Sequence, residues 1–109
     1  PPLVLVCVDK RAESHVHLLD SGRFAVAVLS TAQQDVSNRF AKSGGDKFAD
    51  AEVCYSPSGV PSPAGGLAEL DCRTVQAVDA GDHTVFIAAV ESGASRDGEP
   101  LLYFRGRYR

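Results

Sequence analysis

Residues 79–90 read "DAGDHTVFIAAV", and the reading of this stretch decides the fold. Asp79, Gly81 and Asp82 are turn formers, while Thr84 to Val90 has the composition of a buried strand. Within it Thr84, Phe86, Ala88 and Val90 fall on one face. The run before it, Leu67 to Val78, alternates too. Ala68, Leu70, Cys72 and Thr74 lie on one side, and Glu69, Asp71 and Arg73 on the other. Asp97-Gly98 marks a further turn, and Leu101 to Tyr108 reads as a last strand. Three consecutive antiparallel strands behind a mixed front half predict a small, mainly β barrel with helices on its outside. One residue does not fit this pattern. Neither a turn nor a strand needs a titratable ring at their junction, yet His83 sits there. It reads either as a turn histidine oriented by Asp82 or as a hydrogen-bond donor at a barrel rim, aimed at a ligand.

Working outward, "PPLVLVCV" opens on a continuous apolar strand, Leu3 to Val8. Such a run predicts a strand covered on both faces and interior to its fold. The expectation is therefore that something lies upstream of Pro1. Asp9 offers an N-cap to a short helix over about residues 11–20, with Ala12, Val16 and Leu19 as its apolar stripe. Ser21-Gly22 closes it. Phe24 to Leu29 is a second strand. Thr31 with Gln34 fits a capping box for a helix over about 31–42, with Val36 and Phe40 on one face and Gly44-Gly45 as its stop. "DKFAD" (46–50) is ambiguous between a helical turn and a loop. "SPSGVPSPAGG" (56–66) reads as a long irregular surface loop.

The chain has 109 residues, one domain's worth, and a net charge of −3, so no global basic field draws it to nucleic acid. Arg96, Arg105, Arg107 and Arg109 crowd the C-terminal strand region, where they suit either a phosphate or an ordinary solvated face. The three cysteines, Cys7, Cys54 and Cys72, show no Cys-x-x-Cys spacing, which argues against a disulfide framework and against a zinc site. Cys7 and Cys72 lie in apolar strand patterns and read as small hydrophobes. No apolar run approaches the ~18 residues of a membrane helix, and nothing ahead of the first strand resembles a signal peptide. The expectation is a soluble, cytoplasmic protein.

Lys10, Arg11 and Ser14 surround the start of the first helix, where free N–H groups, a hydroxyl and two cations suit an anion. A solvated helix start is the plainer reading. His15 and His17 point apart on a helix and read as surface histidines. "NRFAKSGGDKF" (38–48) twice places a basic residue before Phe, at Arg39-Phe40 and Lys47-Phe48. Phe48 suits either the core or the cover of an aromatic ligand. "YFRGRY" (103–108) sets two Tyr, one Phe and two Arg around Gly106. Glycine inside a strand often marks close approach of a ligand or another backbone, arginine holds phosphate and aromatics stack on planar rings. No catalytic triad, carboxylate dyad or phosphate-binding glycine loop is convincing, so any chemistry rests with a bound cofactor.

Taken together and in order, "PPLVLVCVDK", "SGRFAVAVLS", "RFA" then "DKF", "GDHTVFIAAV" and "EPLLYFRGRY" resemble the flavin reductase-like, split-barrel flavin-binding family. The resemblance covers essentially the whole chain. It implies a Greek-key split barrel, a homodimer, and FMN or FAD reduced by NADH or NADPH. The reduced flavin then passes to a partner monooxygenase. It also implies roles. His83 would lie at the nicotinamide side of the flavin, and Phe104, Arg105, Gly106, Arg107 and Tyr108 would line that same NAD(P)H site. Lys10, Arg11 and Ser14 would hold the flavin phosphate, with Lys47 and Phe48 in a loop near the cofactor. Family members carry several tens of residues ahead of the Pro-Pro stretch, including part of the flavin site and at least one strand, so this chain is N-terminally incomplete relative to them. Two alternatives stay open: a flavin-binding barrel without efficient reductase activity, and a small β interaction fragment with no cofactor.

Overall fold

The computed structural model describes residues 2–42, 48 and 52–109. The hairpin around "DAGDH" is its spine. Strand β5 (Ala68–Ala80) turns at Gly81-Asp82 into β6 (His83–Ser95). Gly81 takes φ +68°, the left-handed conformation that makes glycine fit here. A straight strand of this length would run about 40 Å, yet the longest dimension of the molecule is 34 Å. The pair must therefore curl. Register shifts between Asp71 and Cys72 and between Thr74 and Gln76 supply the bends.

Strands β1 (Leu3–Asp9) and β2 (Arg23–Val28) complete an antiparallel sheet in the order β1-β6-β5-β2. Its concave face holds the core: Phe24, Cys72, Phe86 and Ala88 are buried, with Val4, Val6, Val8, Val26, Leu70 and Val90 packed around them. The alternation expected for β6 is therefore observed. Two short helices, α1 (Ser14–Ser21) and α2 (Gln34–Ala41), lie at the periphery.

Several local expectations need correction. Among the described residues β1 is an edge strand with one face open. Leu3 and Leu5 are 59% and 62% exposed, and Cys7 is exposed as well, so it is no core hydrophobe. The run is continuous in sequence, but only its even-numbered valines face the core. Asp9 does not cap α1. It accepts from the backbone N–H of Arg11 at 2.8 Å and closes a separate turn, so the helix starts at Ser14. That later start moves the inward face to His15 and Leu18, leaving Val16 and Leu19 half exposed at 53% and 50%. Gly22 ends the helix in the left-handed conformation, as read.

Similarly, the capping box belongs to Ser30 and Gln33, one residue earlier than expected, and opens a 3-10 turn, Thr31–Gln33, that leads into α2. Gly44 and Gly45 lie outside the described residues, as does most of "DKFAD". The proline-rich stretch is irregular except at its middle, where a short strand forms. Val53–Tyr55 (β3) pairs with Pro61–Pro63 (β4). Ser56 donates to the carbonyl of Val60 and Ala64 to that of Glu52, so even-numbered residues carry the ladder. Pro61 and Pro63 fall on the outward positions, where a missing N–H costs nothing. Asp71, expected on the polar side of β5, is 4% exposed. It keeps the face the alternation gave it, opposite Cys72 and beside its β2 partner Ala25, and it is buried there because the β3–β4 hairpin covers it: Ser58 Oγ donates to its carboxylate at 2.8 Å. Finally, Leu101 to Tyr108 is not one strand. Tyr103–Phe104 (β7) and Arg107–Tyr108 (β8) form a tight hairpin.

Candidate active site

The β1–β6 edge begins at a corner built from the expected residues. β1 ends opposite the start of β6, with Asp9 facing His83 across the ladder. The backbone N–H of Lys10 donates to the carbonyl of Asp82 at 2.9 Å, locking the chain after β1 onto the β5–β6 turn. The Lys10 ammonium pairs with Asp79. Arg11 grips Asp9 through both arms of its fork, Nε at 3.1 Å and Nη2 at 2.8 Å. That grip, chiefly the side-chain hydrogen bonds, holds the Asp9 carboxyl far below the usual carboxylate range and raises the Arg11 guanidinium.

His83 is 41% exposed and its Nδ1 lies 2.9 Å from Asp82 Oδ1. This hydrogen bond, with the charge of the ring behind it, lowers Asp82 from the ordinary carboxylate value. An ionised carboxylate only accepts, so Nδ1 carries the hydrogen. Nε2 is then the ring atom left to meet a ligand. Along β6 the next residue, Thr84, points into the core and is 6% exposed. Its hydroxyl meets His15 Nε2 at 2.8 Å, and the His15 ring lies edge-on to Phe86 at 5.8 Å. His15 is therefore no surface histidine. It ties α1, and Ser14 beside it, to the strand that carries His83. The sequence pattern missed this role because the start of α1 was set too early.

The C-terminal residues lie elsewhere. After β6 the chain is strapped to the end of β2: Thr31 donates to Glu99 O at 3.1 Å and Leu101 to Leu29 O at 2.9 Å. The hairpin that follows turns at Arg105 and Gly106, with φ of +53° and +75°, the conformation that suits a two-residue hairpin turn. Gly106 marks this turn; a Cβ there would meet nothing within 4 Å. Tyr108 anchors the hairpin through its hydroxyl, 2.8 Å from Ser37 Oγ and 3.1 Å from Asn38 Oδ1. Phe104 is 60% exposed, with the Arg105 guanidinium 5.3 Å from its ring centre. The structure thus gathers Lys10, Arg11, Ser14 and His83 at one end of β6 and Phe104 to Tyr108 beyond the other. Within one chain it does not bring the two groups together. Arg96 takes no part in either; it clamps Gly66 O at 2.7 Å and Glu69.

The cavities lie toward the Ser95 end of β6. Two adjoining cavities of about 280 and 290 Å³ share Ala25 and Ser62, between β2 and the β3–β4 hairpin. Tyr55 and Asp71 line the first. Phe48 and Phe40 wall the second, their rings edge-to-face at 5.1 Å. Lys47 lies outside the described residues.

A curled, mainly antiparallel sheet with two peripheral helices, a Gly-Asp-His corner and an aromatic–arginine hairpin define a class, and comparison with known proteins places the chain in it. The chain belongs to the flavin reductase-like domain family, whose model matches residues 1–109. It is 37% identical over 108 residues to the reductase component of 4-nitrophenol 4-monooxygenase/4-nitrocatechol 2-monooxygenase from Rhodococcus opacus, covering 99% of this chain and 58% of that protein. It is 43% identical over 111 residues to the reductase subunit HsaB of a flavin-dependent monooxygenase from Mycobacterium tuberculosis, covering 99% and 59%. A structure of the NADH:FAD oxidoreductase SgcE6 from Streptomyces globisporus, in complex with NAD and FAD fragments, superposes with a TM-score of 0.95 at 35% identity, over 100% of this chain and 67% of that one. The split-barrel fold expected from the resemblance is thereby established. The chain spans slightly under three fifths of the length of these two reductase relatives.

Proposed function

We propose that this chain is the barrel of an NAD(P)H:flavin oxidoreductase that reduces FMN or FAD and supplies the reduced flavin to a partner monooxygenase. The observation that carries the reading is its fold-wide likeness to a reductase structure holding NAD and FAD fragments. When bound, the flavin supplies the redox chemistry, accepting hydride from the nicotinamide. The protein's own task is binding and orientation.

His83 docks the nicotinamide. Held by Asp82 through Nδ1, its ring meets the carboxamide through Nε2. Lys10, Arg11 and Ser14 receive the flavin phosphate, and Lys47 and Phe48 lie beside the cofactor; Phe48 stands at the other end of β6, so it reaches the same flavin only from a second copy. The residues fit a flat, phosphorylated ligand: Phe104 and Arg105 are exposed at the hairpin, and two cations flank the turn into α1. If His83 and the Phe104–Tyr108 hairpin act on one nicotinamide, a second copy must supply one of them, because a single chain holds them at opposite ends of β6. The exposed outer face of β1, with Leu3 and Leu5, gives a homodimer an apolar surface to bury. Three free thiols suit the reducing cytoplasm.

The deciding experiment mixes protein, NADH and excess FMN in air and follows loss of nicotinamide absorbance against a no-protein control, with FAD and NADPH run beside it. Fast turnover is expected. Flavin binding without turnover would move the assignment to the binding module. His83→Ala should raise KM for NADH about three- to tenfold, the worth of one hydrogen bond, and leave flavin affinity unchanged.

A further inference from the structure

The phosphate site proposed above has an internal rival, and the geometry points to a role for it. Both of its cations are already paired. Arg11 is held bidentate by Asp9, with its own backbone N–H bound to the same carboxylate at 2.8 Å. Lys10 is paired with Asp79. A third carboxylate, Asp82, stands in the same turn with its oxygen on His83. A phosphate carrying about −1.5 to −2 charges would therefore meet two cations interleaved with three acids.

We propose that Asp79 and Asp9 act as built-in competitors for the flavin phosphate, so that the cofactor is held loosely enough to leave. The proposal rests on the reading that Lys10 and Arg11 receive that phosphate. The two acids differ in kind. The Asp9 side chain is 28% exposed and tied to the backbone, so it stays in place and keeps one edge of the Arg11 fork occupied. The Asp79 side chain is 79% exposed, at the end of β5, and pairs with the Lys10 ammonium, so it can swing away as the phosphate arrives. The Lys10 backbone is fixed to Asp82, which keeps its ammonium within reach of this corner. The exchange therefore replaces one carboxylate by one phosphate on the same ammonium. For a protein whose product is a flavin passed to another enzyme, a site that returns to an internal ion pair on release favours turnover over storage.

The test is the affinity of the full chain for FMN and for riboflavin, which lacks the phosphate, measured by quenching of flavin fluorescence at low and moderate salt. Asp79→Asn should tighten FMN by about two- to fivefold, the worth of an exposed ion pair, and leave riboflavin unchanged. The gain should shrink as salt rises. Lys10→Ala is measured beside it and should weaken FMN alone. If Lys10→Ala weakens FMN but Asp79→Asn changes nothing, the competition is refuted and the phosphate site stands. If neither variant moves FMN, the phosphate assignment fails and the proposal with it. Equal tightening of riboflavin would also overturn it, since the effect would then lie away from the phosphate.

Discussion

The two ends of β6 are held by different physics. At the His83 end the contacts are ion pairs between exposed groups: Lys10 with Asp79, Arg11 with Asp9, His83 with Asp82. At the Ser95 end an exposed pair, Arg96 with Glu69, stands beside contacts that are buried or backbone-directed. The Asp71 carboxylate accepts from Ser58 Oγ at 2.8 Å and lies 3.9 Å from Arg23. Gln33, also buried, accepts from Ser30 N at 2.9 Å and donates to Ala64 O at 2.8 Å. Exposed pairs contribute little to stability because water screens them. Buried polar groups matter more, because losing a partner leaves desolvated charge or dipole behind. The lesson is a contrast in how tightly partners are held: exposed pairs separate at little cost, while the buried groups keep theirs.

The sharpest challenge to this picture lies between the ends. Phe86 is fully buried and touches His15, so it links α1 to the sheet. Phe86→Ala should cost about 3–5 kcal/mol in denaturant unfolding, and both ends should melt in one transition. Separate transitions would show that the ends are independent. Next comes Ser58→Ala, which strips the buried Asp71 of its hydroxyl. It should cost about 1–3 kcal/mol with no change in KM for NADH. A neutral result would erase the distinction between the ends.

A smaller effect is expected at the C-terminal hairpin. Gly106→Ala forces a side chain onto φ +75°, at about 1–2 kcal/mol. Amide exchange should rise in residues 103–108, while the global melt stays nearly unchanged. The smallest effect belongs to the His83 end. Asp9 and Asp82 titrate below the normal carboxylate range, chiefly through hydrogen bonds to Arg11 and His83. Groups with depressed folded values stabilise the native state above the ordinary value, about pH 4, and lose that contribution as pH falls through the folded values. Melting temperature should therefore fall only below about pH 4, and Asp9→Asn should flatten that slope without moving the melt at neutral pH by much.

How much of this was legible in the residues follows from range. The β5–β6 hairpin was readable because turn and alternation are local: "AGDH" needs a left-handed glycine, and Phe86 and Ala88 repeat every second residue. The family was readable because its motifs occur in order. What failed were phases and partners. Asp9 looks like a helix cap in isolation, but Arg11 claims it, and α1 starts at Ser14 with His15 turned inward. "YFRGRY" looks like strand, but a positive φ at Arg105 and Gly106 folds it back on itself. The alternation of β5 set Asp71 on the polar face, and the β3–β4 hairpin, distant in sequence, covers it there through Ser58. Asp79 and Asp9 drew no attention as partners of Lys10 and Arg11, although the "DKR" triplet at 9–11 was a signal for one of the pairs.

By itself, then, the sequence determined the hairpin, the core-facing positions of β6, the peripheral helices and membership of the family, because each rests on contacts or patterns a few residues long. Only the tertiary structure decided that β1 is an edge, that Asp71 is buried, and that His83 and the Phe104–Tyr108 hairpin stand at opposite ends of one strand. Those facts depend on strand order and on the curl of the sheet, where the energy lies between residues far apart in the chain and no local pattern carries it.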